Sequence, residues 1–207
     1  MQVAIPLYPR YTALDAVGPY TVLAFAPGWT VTFVAEEAGP VTDDQGTLTL
    51  AATASYAGMP RPDVIVVPGG LGTLDVMGDT ALTGWIRQAH EHTTWTTSVC
   101  SGSLLLGAAG LLEGVKATTH WALLDLLKQS GAQPVTERVV TEGKIVTAAG
   151  VSAGIDMALS LLAQATDELT AQSVQLAIEY DPQPPFTSGS PKTAPEGVAE
   201  RALGLLA

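Results

Sequence analysis

The sequence predicts an α/β fold: a mostly parallel sheet with helices on both faces. Three observations carry this. Short apolar, β-branched runs alternate with segments of helical length along most of the chain. One such run ends in a glycine-rich turn, Pro68-Gly69-Gly70-Leu71-Gly72. The next run enters a helical stretch through Ser98-Val99-Cys100-Ser101-Gly102. Parallel strands need crossovers of this kind, and such sheets bind ligands beyond their C-terminal strand ends.

The elements follow in order. Val3 to Tyr8 is apolar and stops at Pro9, as a buried strand does. Asp15 to Phe25 is a helix with a carboxylate at its start, and Pro19 is expected in or near its first turn. Thr30 to Ala35 is a second strand, and Val41 to Tyr56 alternates like a hairpin or an excursion from the sheet. Asp63 to Val67 is a strand. Asp79 to His92 is a helix that places Leu82, Trp85, Ile86 and Ala89 on one face. Trp95 to Val99 is a strand, and Ser101 to Leu112 is a helix ending near Gly114. A brief strand at Thr118 and Thr119 precedes a helix from His120 to Lys128. Val135 to Thr141 and Lys144 to Ala148 flank Glu142-Gly143 as a hairpin. Ser152 caps a helix reaching Ala165, and Glu168 to Glu179 is another. Asp181 to Pro195 carries five prolines, Pro182, Pro184, Pro185, Pro191 and Pro195, which prevent regular structure. It is a linker or an ordered arm against a partner subunit. Phe186 favours the arm.

Composition narrows the function classes. The 207 residues suit one domain, 1–207, with a single sizeable core. Nine basic against twenty acidic side chains give a net charge of −11, which opposes binding to nucleic acid. One cysteine excludes an internal disulfide framework and a multi-cysteine zinc site, and three scattered histidines show no metal-ligand spacing. No metal and no cofactor are expected, since nicotinamide, flavin and phosphate-loop fingerprints are lacking. Met1 to Pro6 lacks the basic start of a secretory peptide, and no uncharged apolar run has membrane-spanning helical character. The expectation is a cytoplasmic protein that avoids membranes.

Cys100 is the candidate nucleophile. Small residues on either side allow a tight strand-to-helix turn that lifts the thiol above the sheet. The helix start is then expected to favour a thiolate, and the Ser101 N–H to meet developing negative charge. Gly69 and Gly70 let backbone approach a ligand, with their N–H groups as further donors. Asp15 is placed to hold or move a proton, or simply to cap its helix. His120 would complete a Cys–His pair, or sit as a half-buried histidine bonded to backbone. His90 and His92 read as solvated. Asp156 reads as a first-turn charge on its helix. Trp121 and Tyr20 are candidates for setting pocket size.

These motifs together resemble a known group. Asp15-x-x-Gly18-Pro19, Pro68-Gly69-Gly70, Ser98 to Ser103 and Ala117-Thr118-Thr119-His120-Trp121 look like the PfpI-type superfamily with the class I glutamine amidotransferase-like fold. Gly150-Val151-Ser152-Ala153-Gly154-Ile155-Asp156 and the Pro184 to Pro191 tail look like its isocyanide (isonitrile) hydratase branch. The resemblance implies a flavodoxin-like three-layer sandwich and a homodimer without cofactor, with residues 181–207 as an arm and helix packed on the partner. It implies hydration of an isocyanide substrate to an N-substituted formamide. Cys100 matches the nucleophile and Asp15 its acidic partner. Gly70 matches the glycine beside the thiol, and Val151 a branched apolar residue lining the site. Ser101 departs from the usual Thr, keeping the hydroxyl and losing a methyl. Protease-like relatives have His where Ser101 stands, and many chaperone or deglycase relatives have Glu in place of Asp15. The readings that stay beside it are a glyoxalase or deglycase acting on reactive carbonyls, and a cysteine-based oxidant or small-molecule sensor.

Overall fold

A computed structural model describes residues 1–206. The first half contains β1 (Gln2–Pro6), α1 (Ala13–Leu23), β2 (Thr30–Ala35), β3 (Gly39–Thr42), β4 (Thr49–Ala52), β5 (Ala54–Ser55), β6 (Val64–Val67), α2 (Thr73–Val76), α3 (Thr80–His92) and β7 (Trp95–Val99). The second half continues with α4 (Gly102–Ala108), β8 (Lys116–Ala117), a 3₁₀ turn (Trp121–Leu123), α5 (Leu124–Gln129), β9 (Gln133–Pro134), β10 (Val139–Glu142), β11 (Ile145–Ala148), α6 (Ala153–Ala165), α7 (Glu168–Ala177) and α8 (Val198–Leu203).

Seven strands form the main sheet in the order β10-β11-β7-β6-β1-β2-β5. Every neighbouring pair is parallel except β10–β11, which is antiparallel. β3 and β4 make a separate hairpin, the predicted excursion. The central strands are apolar because both faces are covered: Val64 to Val67 of β6 are all fully buried. α1 packs on α6 and α6 on α7, while α3 packs on α4, so helices flank the sheet in the three-layer sandwich of flavodoxin-like folds. Leu82, Trp85, Ile86 and Ala89 form the buried face of α3 as their spacing predicts, and Asp79 caps its start by accepting from Ala81 N–H at 2.8 Å.

Some boundaries move, each for a physical reason. α1 starts at Ala13, so Pro19 lies in its interior and not its first turn. There it touches α6 where Gly154 leaves room: a Cβ on Gly154 would meet Pro19 Cγ at 3.1 Å and Val99 Cγ2 at 3.0 Å. α4 ends at Ala108, short of Leu112, because the chain turns at Gly110. The short strand precedes Thr118, pairing Lys116 and Ala117 with β9. Trp121–Leu123 is a 3₁₀ entry to α5 with His120 before it, β10 begins only at Val139, and α7 stops at Ala177. Ser152 stands at the start of α6, yet its hydroxyl takes Arg138 Nη2–H at 3.3 Å and leaves the helix uncapped by its side chain. Residues 181–195 carry no regular structure and lie along their own chain, where Lys192 Nζ donates to Thr136 Oγ1 at 3.0 Å. Among the described residues, no helix is long and apolar enough to cross a membrane.

Gly102 joins β7's exit turn to the back of β6. A Cβ there would stand 2.1 Å from the Val67 carbonyl oxygen, and both sides of that clash are backbone. Gly102→Ala is expected to cost about 3 kcal/mol or more. Urea titration followed by circular dichroism measures it; a loss under about 1 kcal/mol would show that the turn can relax.

Candidate active site

The strand-to-helix turn puts Cys100 at the C-terminal edge of the sheet, with its backbone at φ +58°. A non-glycine residue there is strained by roughly 1–3 kcal/mol unless its surroundings hold it. They do. Cys100 N–H donates to the carbonyls of Ala148 and Ala149, each at 3.0 Å, and its own carbonyl accepts from Thr119 Oγ1 at 3.0 Å and Ser103 Oγ at 3.3 Å. A second strained residue stands beside it: Val151, β-branched, has φ +36°. The Val151 and Ser101 N–H groups and the Ser101 hydroxyl each act to favour charge on the Cys100 sulfur.

Asp15 reaches the thiol from α1. The side chain is fully buried (0% exposed), and Cys100 nearly so at 7%. Asp15 Oδ2 accepts the Gly69 N–H at 2.9 Å, while Oδ1 has no hydrogen-bond partner among the described residues. Burial raises the Asp15 pKa to about 7, against the opposing pull of the Gly69 N–H and the thiol. Burial and the neighbouring Asp15 charge push the thiol up as well, past what the two N–H groups and the serine offset. The thiolate expected from the helix start is therefore not favoured before substrate enters. An ionised Asp15 opposes loss of the thiol proton and the thiol hydrogen-bonds the carboxylate, so the pair keeps at least one proton at neutral pH.

Ser101 is held rather than free. Its Oγ accepts the Gly70 N–H at 2.9 Å and pairs with Thr73 Oγ1 at 2.7 Å. Tyr8 O–H donates to the Pro68 carbonyl at 2.9 Å and contacts Thr73 Oγ1 at 2.9 Å. With Tyr8 committed to Pro68, the chain of donors runs Ser101 to Thr73 to Tyr8. The single Ser101 proton thus has three takers: Thr73, the thiol and, at 3.4 Å, the Gly70 carbonyl. The N–H groups of Gly69 and Gly70, read from sequence as donors to an anion, are occupied by Asp15 and Ser101. The N–H groups aimed at the sulfur belong to Ser101 and Val151.

Sequence reasoning missed Tyr8, Thr73, Thr119 and the backbone role of Val151. Tyr8 at the end of the first predicted strand and Thr73 just beyond the glycine turn were the available signals, because strand ends gather at one edge. Cys100, Ser101, Gly70, His120 and Val151 all line one cavity of about 380 Å³. A neighbouring cavity of about 610 Å³ shares His120 and Val151 and holds Trp121. His120 is kept neutral by burial, and its Nδ1 accepts the Ala122 N–H at 3.4 Å, leaving the proton on Nε2. No hydrogen bond joins it to Cys100, so a Cys–His pair does not form. Trp121 lines the neighbouring cavity, and Tyr20 packs against Phe33, its ring tilted by 32° at 5.2 Å, and lines neither. His90 Nδ1 bonds Thr96 Oγ1 at 2.8 Å and is not simply solvated. Asp156 pairs with Arg138 and accepts Tyr180 O–H at 2.9 Å, an ion pair more than a dipole partner. No group of three or more acidic, histidine or cysteine side chains able to hold a metal exists among the described residues.

Known proteins resemble this chain in sequence and in fold. The model of the DJ-1/PfpI family matches residues 1–164. Isonitrile hydratase of Pseudomonas putida is 48% identical over 202 residues, 98% of this chain and 88% of that protein. The HTH-type transcriptional regulator CdhR of Pseudomonas aeruginosa is 30% identical over 149 residues, 71% of this chain and 42% of that protein. The crystal structure of a ThiJ/PfpI family protein from Pseudomonas syringae superposes with TM-score 0.95 at 42% identity, covering 99% of this chain and 85% of that one. Drosophila melanogaster DJ-1beta shares the fold, with TM-score 0.78 at 20% identity over 86% of this chain and 97% of that one.

The raised Asp15 pKa has a consequence for stability. The folded state holds this proton more tightly than the unfolded chain, whose value is 3.8. Asp15's contribution is therefore full below pH 4 and is lost as pH rises to about 7. Across that window, wild type should lose stability relative to Asp15→Asn by a few kcal/mol, on the order of 1.4 per pH unit. Parallel pH series of urea unfolding measure the difference; curves that stay parallel from pH 4 to 7 would place the Asp15 pKa at its ordinary value.

Proposed function

The chain belongs to the DJ-1/PfpI family, and we propose on that premise that it is a cysteine-dependent lyase adding water to an isocyanide to give an N-substituted formamide. The observation that carries this is the buried Cys100–Asp15 pair under one cavity, in a chain 48% identical to an isonitrile hydratase along nearly its whole length. An isocyanide presents a terminal, electrophilic carbon on a narrow linear group. It needs a nucleophile and a proton source, and no metal.

The chemistry uses what the pair holds. Cys100 sulfur bonds to the isocyanide carbon while the pair's proton, handled by Asp15, goes to that carbon. The product is a thioimidate, S–CH=N–R. Asp15, now ionised, takes a proton from water as the water oxygen adds to the carbon. The nitrogen gains that proton, the C–S bond breaks, and the formamide leaves. A second proton returns to the Cys100–Asp15 pair from the hydroxyl of the tetrahedral adduct. The Ser101 and Val151 N–H groups support charge on sulfur at the attack and at its departure. The Ser101 hydroxyl turns from Thr73 towards sulfur in the same steps. Burial raises the energy of the charged reactants before they react, so a thiolate formed here is poorly solvated and a strong nucleophile. Gly69 and Gly70 act as positioning residues, the first holding Asp15 and the second Ser101. His120 and Val151 supply cavity wall, and Trp121 supports that wall from the neighbouring cavity.

The homodimer and cytoplasmic location belong to the same proposal. Phe25, Leu169, Leu176 and Phe186 are all more than half exposed, and burying such side chains against a second copy would remove apolar area from water. The arm over residues 181–195 carries Phe186 and is part of that proposed contact. Sedimentation velocity should return a dimer; a monomer at micromolar concentration would remove this part.

Cys100→Ala should lower turnover of a simple isocyanide by about a thousandfold or more. Asp15→Asn should lower kcat by about a hundred- to thousandfold with the fold intact. In that variant, intact-mass spectrometry should find Cys100 carrying the whole mass of one isocyanide plus a proton in place of the thiol proton. Full activity in Cys100→Ala would end the proposal, and turnover of methylglyoxal without turnover of any isocyanide would replace it with carbonyl chemistry.

A further inference from the structure

The cavity above Cys100 has a mixed lining. Thr12 and Asp44 are polar members of it, with Thr12 Oγ1 donating to Asp44 Oδ2 at 2.5 Å. Leu74 and three leucines from the chain's end, Leu203, Leu205 and Leu206, are apolar members. None of these four leucines belongs to the hydrophobic core, and Leu205 is 80% exposed. Scattered exposed leucines need no explanation, but four around one opening form a patch. The opening leads to the thiol.

The path of the tail accounts for their position. Residues 181–195 run without regular structure over their own chain and are tied down where Lys192 meets Thr136. Val198, Ala199 and Ala202 of α8 then share a small cleft with the arm and Trp121. Seated there, α8 delivers its last residue, Leu203, and the two leucines beyond it to the cavity mouth. Geometry decides what meets them. The isocyanide is linear, and its carbon must face the sulfur. The substituent on nitrogen then points away from the thiol, towards the mouth.

We infer that Leu203, Leu205 and Leu206 form a wall that grips the substituent, so that the preferred substrates are isocyanides bearing a bulky apolar group. This rests on the hydratase reading and adds to it the class of substituent and the residues that select it. A methyl group is too short to cover these side chains, whereas a branched or ring hydrocarbon removes their apolar surface from water on binding.

The test compares kcat/KM for methyl isocyanide and benzyl isocyanide in three proteins: the full chain, a chain ended after Gly204, and the double variant Leu205→Ser, Leu206→Ser. The full chain should prefer the benzyl compound, and both variants should lose that preference by about tenfold, chiefly through KM. The double variant keeps the backbone and guards against a truncation that disturbs α8. An unchanged preference, or an equal loss on both substrates, would overturn the wall while leaving the hydratase reading intact. So would a loss that follows dissociation of an oligomer in sedimentation, which would make these leucines the seat of a second copy. No turnover of either isocyanide by the full chain would remove the hydratase reading, and the wall with it.

Discussion

Two acids share one dry space. Cys100 and Asp15 are both out of water: burial raises both pKa values, and the Asp15 charge further opposes ionisation of the thiol. Everything else at this edge of the sheet either holds that pair together or governs what reaches it. A thiol alone in such a place would be inert, and a lone carboxyl would be a poor base with no substrate to serve. In the proposed reaction, they supply the proton that moves when sulfur forms its bond to carbon.

Holding the pair requires strain, and the fold supplies the restraint. Cys100 and Val151 both adopt left-handed backbone, and neither is glycine. Each sits at the exit of a central strand, β7 or β11, where neighbouring strands fix the incoming direction. Gly102 allows α4 to start against the β6 exit, and Gly154 allows α6 to approach α1. α1 carries Asp15, so the α1–α6 contact sets the carboxyl's reach. The acid pair therefore depends on packing between helices that are distant in sequence. The pocket above inherits a similar division. Its floor is rigid sheet edge, while part of its rim is the chain's last helix and the leucines beyond it.

Much of this was readable from residues alone. Alternating strand and helix segments fixed the sandwich because each pattern is local: β-branched runs, 3.6-residue spacing and glycine turns do not require knowledge of the partner element. The Cys100 turn was legible for the same reason, and so was the place of Asp15 beyond the first strand. Pro19 was misplaced because helix starts are weakly marked in sequence, and tertiary packing overrode the ordinary cost of an interior proline.

By itself, then, the sequence determined the layer architecture and the elbow, since short-range sterics dictate those; Asp15 read equally as a helix cap, and only the family resemblance marked it as the acid partner. Only the tertiary structure decided the protonation of the pair, because burial depends on every layer at once. It also decided which N–H groups face the sulfur. Gly69 and Gly70 looked like the donors, but Asp15 and Ser101 take them, and Val151, fifty-one positions from Cys100 in the chain, supplies one instead. The return of the C-terminal leucines to the cavity mouth was equally out of reach. A proline-rich arm has no periodicity to read, and its path is set by the surface it crosses.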